Sequence, residues 1–191
     1  MPVTSRVMAF RAVLDACVLY PMSLRDILLR LAELELYIPV WSARILDEAT
    51  RNLIRDGRVT PEQADRMVTL MTRSFDAAEV PADKITALEA AMTNQPKDRH
   101  VLAAAVAADA EAVITTNLRD FPAAACEPLG IEALHPDEFL DVLYAKQPGM
   151  VLAAVRQQAA DLNDPPMTAL EVLDALAVTV PRFATKVRDA L

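Results

Sequence analysis

Arg11-Ala12-Val13-Leu14-Asp15, directly after Phe10, is a short apolar run that ends in a carboxylate. Its length and its unbroken hydrophobicity read as a strand buried on both faces, with Asp15 where the strand runs out. Pro21 then opens a helix whose Leu24, Ile27, Leu28 and Leu31 recur at spacings of three and four, the period of one helical face. Leu36-Tyr37-Ile38-Pro39 reads as a second short strand or an extended link. Ser42 suits the N-cap of a helix reaching about Arg55, and Gly57 suits its close. Thr60-Pro61-Glu62-Gln63 carries the hydroxyl, first-turn proline and third-position glutamine that start another.

Residues 83–92 read as helical, and so does the alanine-rich stretch from Lys97 to Asp109. Ala112-Val113-Ile114-Thr115-Thr116 is a compact strand, Asn117 to Phe121 a polar turn, and Gly130 to Leu134 a last strand. Pro136 starts a helix to Lys146. Strands alternating with helical crossovers predict an α/β domain with a parallel sheet. Gln147-Pro148-Gly149 reads as a linker, followed by helical pieces at 150–162, 168–178 and 181–190. Short helices with apolar stripes such as Val151, Leu152 and Val155 need a partner surface. The tail is therefore expected to pack on the α/β domain or on a second protomer.

Composition narrows the function classes. The chain of 191 residues is 53% apolar and 24% charged, which supports a packed core and excludes a disordered chain. Charges interrupt every apolar run before it reaches the roughly 18 residues of a membrane helix. Arg11 and Asp15 likewise break residues 7–19, so no secretory leader is expected and the location is expected to be cytoplasmic. Cys17 and Cys126 are too few and too distant for a disulfide framework or a zinc site, and neither His100 nor His135 has ligand spacing to them. A formal charge of −8 argues against a protein that coats nucleic acid. It leaves room for an enzyme that gathers carboxylates around a metal and meets phosphate with a few arginines.

Phosphodiester hydrolysis with divalent ions needs hard oxygen ligands clustered at one edge of a domain, and in a parallel sheet that edge is the carboxyl ends of the strands. Asp15 ends the first strand; a helix cap is its bland alternative, although the helix near Pro21 begins several residues later. Glu48 shares a helical face with Arg44, Arg51 and Arg55, either as an ion pair with Arg44 or as a metal ligand with arginines beside it. Asp98 has Val101, Leu102 and Ala105 three, four and seven positions on, which turns its carboxylate inward. An inward carboxylate at a helix start is a cap or a ligand, because an unpaired buried charge is costly. Asp120 follows the strand ending at Thr116 and is open to reading as a turn residue.

Four segments recur in order: Leu14-Asp15-Ala16-Cys17-Val18-Leu19-Tyr20-Pro21, Ser42-Ala43-Arg44-Ile45-Leu46-Asp47-Glu48, Lys97-Asp98-Arg99-His100-Val101-Leu102-Ala103-Ala104-Ala105, and Ile114-Thr115-Thr116-Asn117-Leu118-Arg119-Asp120-Phe121-Pro122. Together they resemble the four signatures of the PIN-domain family, in its VapC-like branch of toxin components of toxin–antitoxin pairs. The resemblance covers residues 8–146 and leaves 148–191 as a C-terminal helical extension.

It implies a PIN-like three-layer α/β/α domain with a central parallel sheet. It also implies an endoribonuclease dependent on Mg²⁺ or Mn²⁺, often dimeric, that cleaves cellular RNA and is restrained by a cognate antitoxin protein. Asp15, Glu48, Asp98 and Asp120 match the metal-site acids, and Thr116 and Asn117 the polar positions that support the fourth. Arg44, Arg51, Arg55, Arg99 and Arg119 are the expected phosphate contacts.

Two departures stand out. Many relatives follow the first aspartate with Thr or Ser and then Asn, where this chain has Ala16-Cys17, so a supporting hydroxyl is missing. Many also carry Asp at the place of Asn117. An aspartate-phosphorylating enzyme fits less well, since Asp15-Ala16-Cys17 lacks its second aspartate. A catalytically quiet PIN domain that binds a partner protein would be marked by loss of a ligand acid, and all four acids are present.

Overall fold

Four short strands form one parallel sheet: β1 (Arg11–Leu14), β2 (Ile38–Val40), β3 (Ala112–Ile114) and β4 (Glu132–Leu134), in the spatial order β2-β1-β3-β4. They belong to a computed structural model that describes residues 10–191; residues 7–9, and with them the expected domain start at residue 8, lie outside it. Ala12, Val13, Leu14, Ala112, Val113 and Ile114 are all inaccessible to solvent. Parallel strands are covered on both faces by their crossover helices, so their sequences run apolar without alternation.

The crossover from β1 to β2 contains α1 (Ala16–Leu19) and α2 (Met22–Glu33). That from β2 to β3 contains α3 (Ala43–Arg55), α4 (Pro61–Ser74), α5 (Ala82–Glu89) and α6 (Arg99–Ala107). The one from β3 to β4 holds α7 (Ala123–Cys126), and α8 (Pro136–Lys146) follows the sheet. The caps read from sequence are formed. Ser42 Oγ accepts from the Ile45 N–H, and Thr60 and Gln63 close a reciprocal capping box. Gly57 stands at φ +64° while the Arg58 N–H reaches back to the Leu53 carbonyl, a left-handed helix stop that favours glycine.

Element ends shift by a few residues from the sequence reading, and three of the differences lie where polar residues gather at the sheet end. The third strand stops at Ile114 rather than Thr116. The helix expected from Lys97 begins as a 3₁₀ turn over Pro96–Asp98 before α6. Asp15, expected too early to cap a helix, does cap one: Oδ1 accepts the Ala16 N–H at 2.7 Å and α1 begins there, ahead of the helix after Pro21.

The tail is α9 (Pro148–Asp161), α10 (Ala169–Ala177) and α11 (Pro181–Arg188). Gln147 alone separates α8 from α9, so the expected linker is a tight helix–helix joint with proline in its first turn. The tail packs on the same chain, α9 against α2 and α11 against α8. Val151, Val155, Leu173, Leu176, Phe183 and Val187 are buried, each contributing about 1.5–3 kcal/mol of apolar burial. Val180, at the N-cap of α11, supplies no side-chain bond. Asp137 of α8 does so instead, accepting from the Phe183 N–H at 2.8 Å and the Arg182 N–H at 3.2 Å. Gln158 also donates to the Ser23 carbonyl at 3.0 Å. Among the described residues no helix is long and apolar enough to cross a membrane.

Candidate metal centre

The register of β1 on β3 sets Leu14 opposite Ile114, so the next residues, Asp15 and Thr115, meet where the two strands end. The Thr115 hydroxyl donates to Asp15 Oδ2 at 2.7 Å, and both residues are buried. Cys17, the second residue of α1, places its Sγ 3.3 Å from the same oxygen. The hydroxyl that the residues after Asp15 lack is thus supplied from the neighbouring strand, with a thiol beside it. Burial, and then the charge of Asp15, push the Cys17 thiol up to about 11, so it stays protonated.

Asp98 comes from the 3₁₀ turn before α6 and is only 8% exposed. It makes no capping bond, which removes the cap reading left open by its position. Its Oδ2 accepts no hydrogen bond, and the Lys97 Nζ lies 3.4 Å away as a loose ion pair. Burial raises its carboxyl to about 6; Lys97 opposes the shift, while Asp15 and Asp120 add to it. Asp120 ends the 3₁₀ turn Leu118–Asp120 and accepts from Lys97 Nζ at 2.8 Å, which holds its carboxyl below the usual range.

Glu48 is half-buried on α3, 3.7 Å from Nε2 of the fully buried His100. Burial, with the nearby Arg44 charge, lowers His100 to about 4, so the imidazole is neutral.

Asp15, Glu48, Asp98 and Asn117 line one open cleft of about 390 Å³, with Tyr20 and Arg55 on its wall. Asp120 is not part of that lining; Lys97 stands between it and Asp98. A larger cavity of about 620 Å³ lies by Phe10, Glu111 and Glu132, at the amino ends of the strands. Parallel sheets place their chemistry at the opposite end.

Among the described residues no three His, Cys, Asp or Glu side chains are already drawn together tightly enough to hold a metal ion. Lys97 partly neutralises Asp98 and Asp120, and Glu48 faces His100. The donor set nevertheless suits a hard divalent cation: it is all oxygen and includes a buried carboxylate oxygen with no hydrogen-bond partner, faced only by the Lys97 ammonium.

The expected phosphate contacts divide. Arg55 reaches the cleft while bonding Asp56 at 2.9 Å and Asn52 at 3.1 Å. Arg44 pairs with Glu89 at 3.0 Å rather than with Glu48, and Arg51 with Asp47 at 3.3 Å. Arg99 bonds the Asn94 carbonyl at 3.3 Å, and Arg119 is exposed beyond Asp120.

Thr116 and Asn117 act through their backbone: the Thr116 N–H donates to Cys17 Sγ, the Asn117 N–H to Thr115 Oγ1, and the Asn117 carbonyl accepts from the Asp120 N–H. The sequence alone assigns no site role to Thr115, Cys17 or Lys97. The first two become visible only through the β1–β3 register, whereas Lys97 was legible as the cation next to an inward aspartate.

A parallel α/β sheet with acids at its carboxyl end is the arrangement expected of a PIN domain, and the chain belongs to the PIN-domain family, which matches residues 11–119. Residues 136–189 match the family described as the VapC50 C-terminal domain, which joins α8 to the tail as the Asp137 cap does. The protein named “Putative ribonuclease VapC50” in Mycobacterium tuberculosis (strain ATCC 25618 / H37Rv) is 48% identical over 105 residues, 53% of this chain and 60% of that protein. The chain thus matches less than two thirds of that relative's length. No solved structure matches the chain.

Proposed function

We propose that this protein is a metal-dependent endoribonuclease, the toxin of a toxin–antitoxin pair, acting on cellular RNA in the cytoplasm. The observation that carries the reading is that Asp15, Glu48 and Asp98 line one cleft, with Asp98 Oδ2 buried and held only by the loose Lys97 ion pair. The ribonuclease named among its relatives supports the substrate. The nuclease domain spans 8–146 and the helical extension 148–191.

Asp15, Glu48, Asp98 and Asp120 would hold Mg²⁺ or Mn²⁺, with Asn117 beside them. When bound, such an ion supplies Lewis acidity toward the phosphate and lowers the pKa of water. The Thr115 hydroxyl donates to Asp15 Oδ2 behind the cleft. Arg55 on the cleft wall meets a phosphate; Arg44 and Arg51 extend the basic margin once Glu89 and Asp47 exchange for RNA, and Arg99 and Arg119 add to it. The partners on this reading are RNA, an antitoxin protein and a second copy of the chain.

The test is cleavage of a fluorophore–quencher RNA by the purified protein. Cleavage should vanish with chelator, return with Mg²⁺ or Mn²⁺, and be lost in Asp98→Asn; cleavage that survives chelation sinks the reading. One observation favours a second reading, a quiet PIN domain acting through a protein partner: the Lys97 ammonium already sits between Asp98 and Asp120. A protein with no cleavage under any divalent ion, yet firm binding to its antitoxin, would establish it.

A further inference from the structure

The Cys17 thiol joins two chain segments about a hundred residues apart. Its Sγ lies 3.3 Å from Asp15 Oδ2 and 3.4 Å from Thr115 Oγ1, and it accepts the Thr116 N–H at 3.3 Å. The protons can be assigned. Thr115 spends its hydroxyl proton on Asp15 Oδ2 at 2.7 Å, and its oxygen receives the Asn117 N–H at 3.0 Å. A carboxylate only accepts, so in the contact between Cys17 and Asp15 the thiol is the donor. Asp15 Oδ1 meanwhile receives the Ala16 N–H at 2.7 Å. Three donors thus occupy three of the roughly four lone-pair sites of the carboxylate.

We propose that Cys17 is a positioning residue for the metal centre, a proposal that rests on the metal-dependent reading above. Its thiol and the Thr115 hydroxyl clamp Asp15 Oδ2 from two sides, so that Asp15 offers one oxygen lone pair to a divalent cation in the cleft. Asp98 lines the same cleft, 8% exposed, and its Oδ2 has no hydrogen-bond partner and only the loose Lys97 ion pair at 3.4 Å, a contact that a bound cation would replace. A cysteine that merely filled space would be replaceable by any side chain of its volume. A donor to Asp15 is replaceable only by another donor.

That contrast is the test. Mn²⁺ affinity is measured without RNA, by electron paramagnetic resonance of the free ion, on wild type, Cys17→Ser, Cys17→Val, Cys17→Ala and Asp98→Asn, each checked for fold by circular dichroism. Cys17→Ser is expected within about two-fold of wild type or tighter, while Cys17→Val and Cys17→Ala weaken binding about ten-fold, the scale on which groups behind a ligand act. Cys17→Val with wild-type affinity, beside a defective Asp98→Asn, overturns the positioning role alone. Wild type without Mn²⁺ binding, or Asp98→Asn with normal binding, overturns the metal reading and this role with it. If both apolar variants unfold, Cys17→Ser decides: a ten-fold loss there refutes a donor role, because a hydroxyl is the stronger donor.

Discussion

The Thr115 hydroxyl donates to Asp15 Oδ2 over 2.7 Å, joining residues one hundred positions apart across the β1–β3 seam. Thr115→Val keeps the branched shape and removes the donor. RNA cleavage should fall by about 10- to 100-fold, the range seen when a group behind a metal ligand is lost, with the circular dichroism spectrum unchanged. Cleavage within two-fold of wild type would reduce Thr115 to a packing role.

Asp98 makes the metal-free protein sensitive to pH. Its carboxyl titrates near 6 in the fold, against about 3.9 when unfolded, so the folded state prefers the protonated form. Its contribution is therefore most favourable below about pH 4 and is lost as pH rises through 6. Melting curves of metal-free wild type and Asp98→Asn should nearly coincide near pH 4. At pH 7 the variant should melt higher by about 2–4 °C, the shift that roughly 1 kcal/mol produces in a chain of this size. A difference that stays constant with pH would contradict the assignment.

Lys97 competes with any cation for Asp98 and Asp120, its Nζ lying 3.4 and 2.8 Å from their oxygens. Lys97→Gln should tighten Mn²⁺ binding by roughly five-fold, since one charge at about 4 Å in water is worth about 1 kcal/mol. Calorimetric titration reads this directly, and weaker binding in the variant would show that Lys97 helps to build the site.

On the wall of the cleft, Arg55 should carry part of the salt dependence of RNA binding. Arg55→Ala is expected to lower the slope of log affinity against log salt by about 0.7, the value for one phosphate contact on a single strand. Arg51→Ala should change it less, because Arg51 is paired with Asp47 away from the cleft lining. Equal slopes in all three proteins would return both arginines to surface ion pairs.

The tail should be separable from the metal centre. Asp137→Ala removes the cap of α11, and the loss of such a cap costs about 0.5–2 kcal/mol. Hydrogen exchange should accelerate in residues 181–188 while Mn²⁺ affinity holds at the wild-type value. A parallel loss of affinity would mean that the tail shapes the cleft.

Much of the architecture was legible because it is set within one turn of chain. Ser42, Thr60, Gly57 and Pro136 mark helix ends through bonds reaching no more than five residues. The alternation of apolar runs with helical periods likewise announced the parallel sheet. The four acids were readable for the same reason, since each stands just past a strand, at a helix start or on a patterned helix face.

What only the tertiary structure decided lies in contacts that cross the chain. They are the pairing of Thr115 with Asp15, the turn of Arg44 toward Glu89 instead of Glu48, and the docking of α11 on Asp137, 46 residues before its Phe183 partner. No local rule reaches that far. Strand register and helix packing follow from how the whole apolar core closes, and the polar groups at its margin take whichever partner that closure leaves within hydrogen-bonding distance.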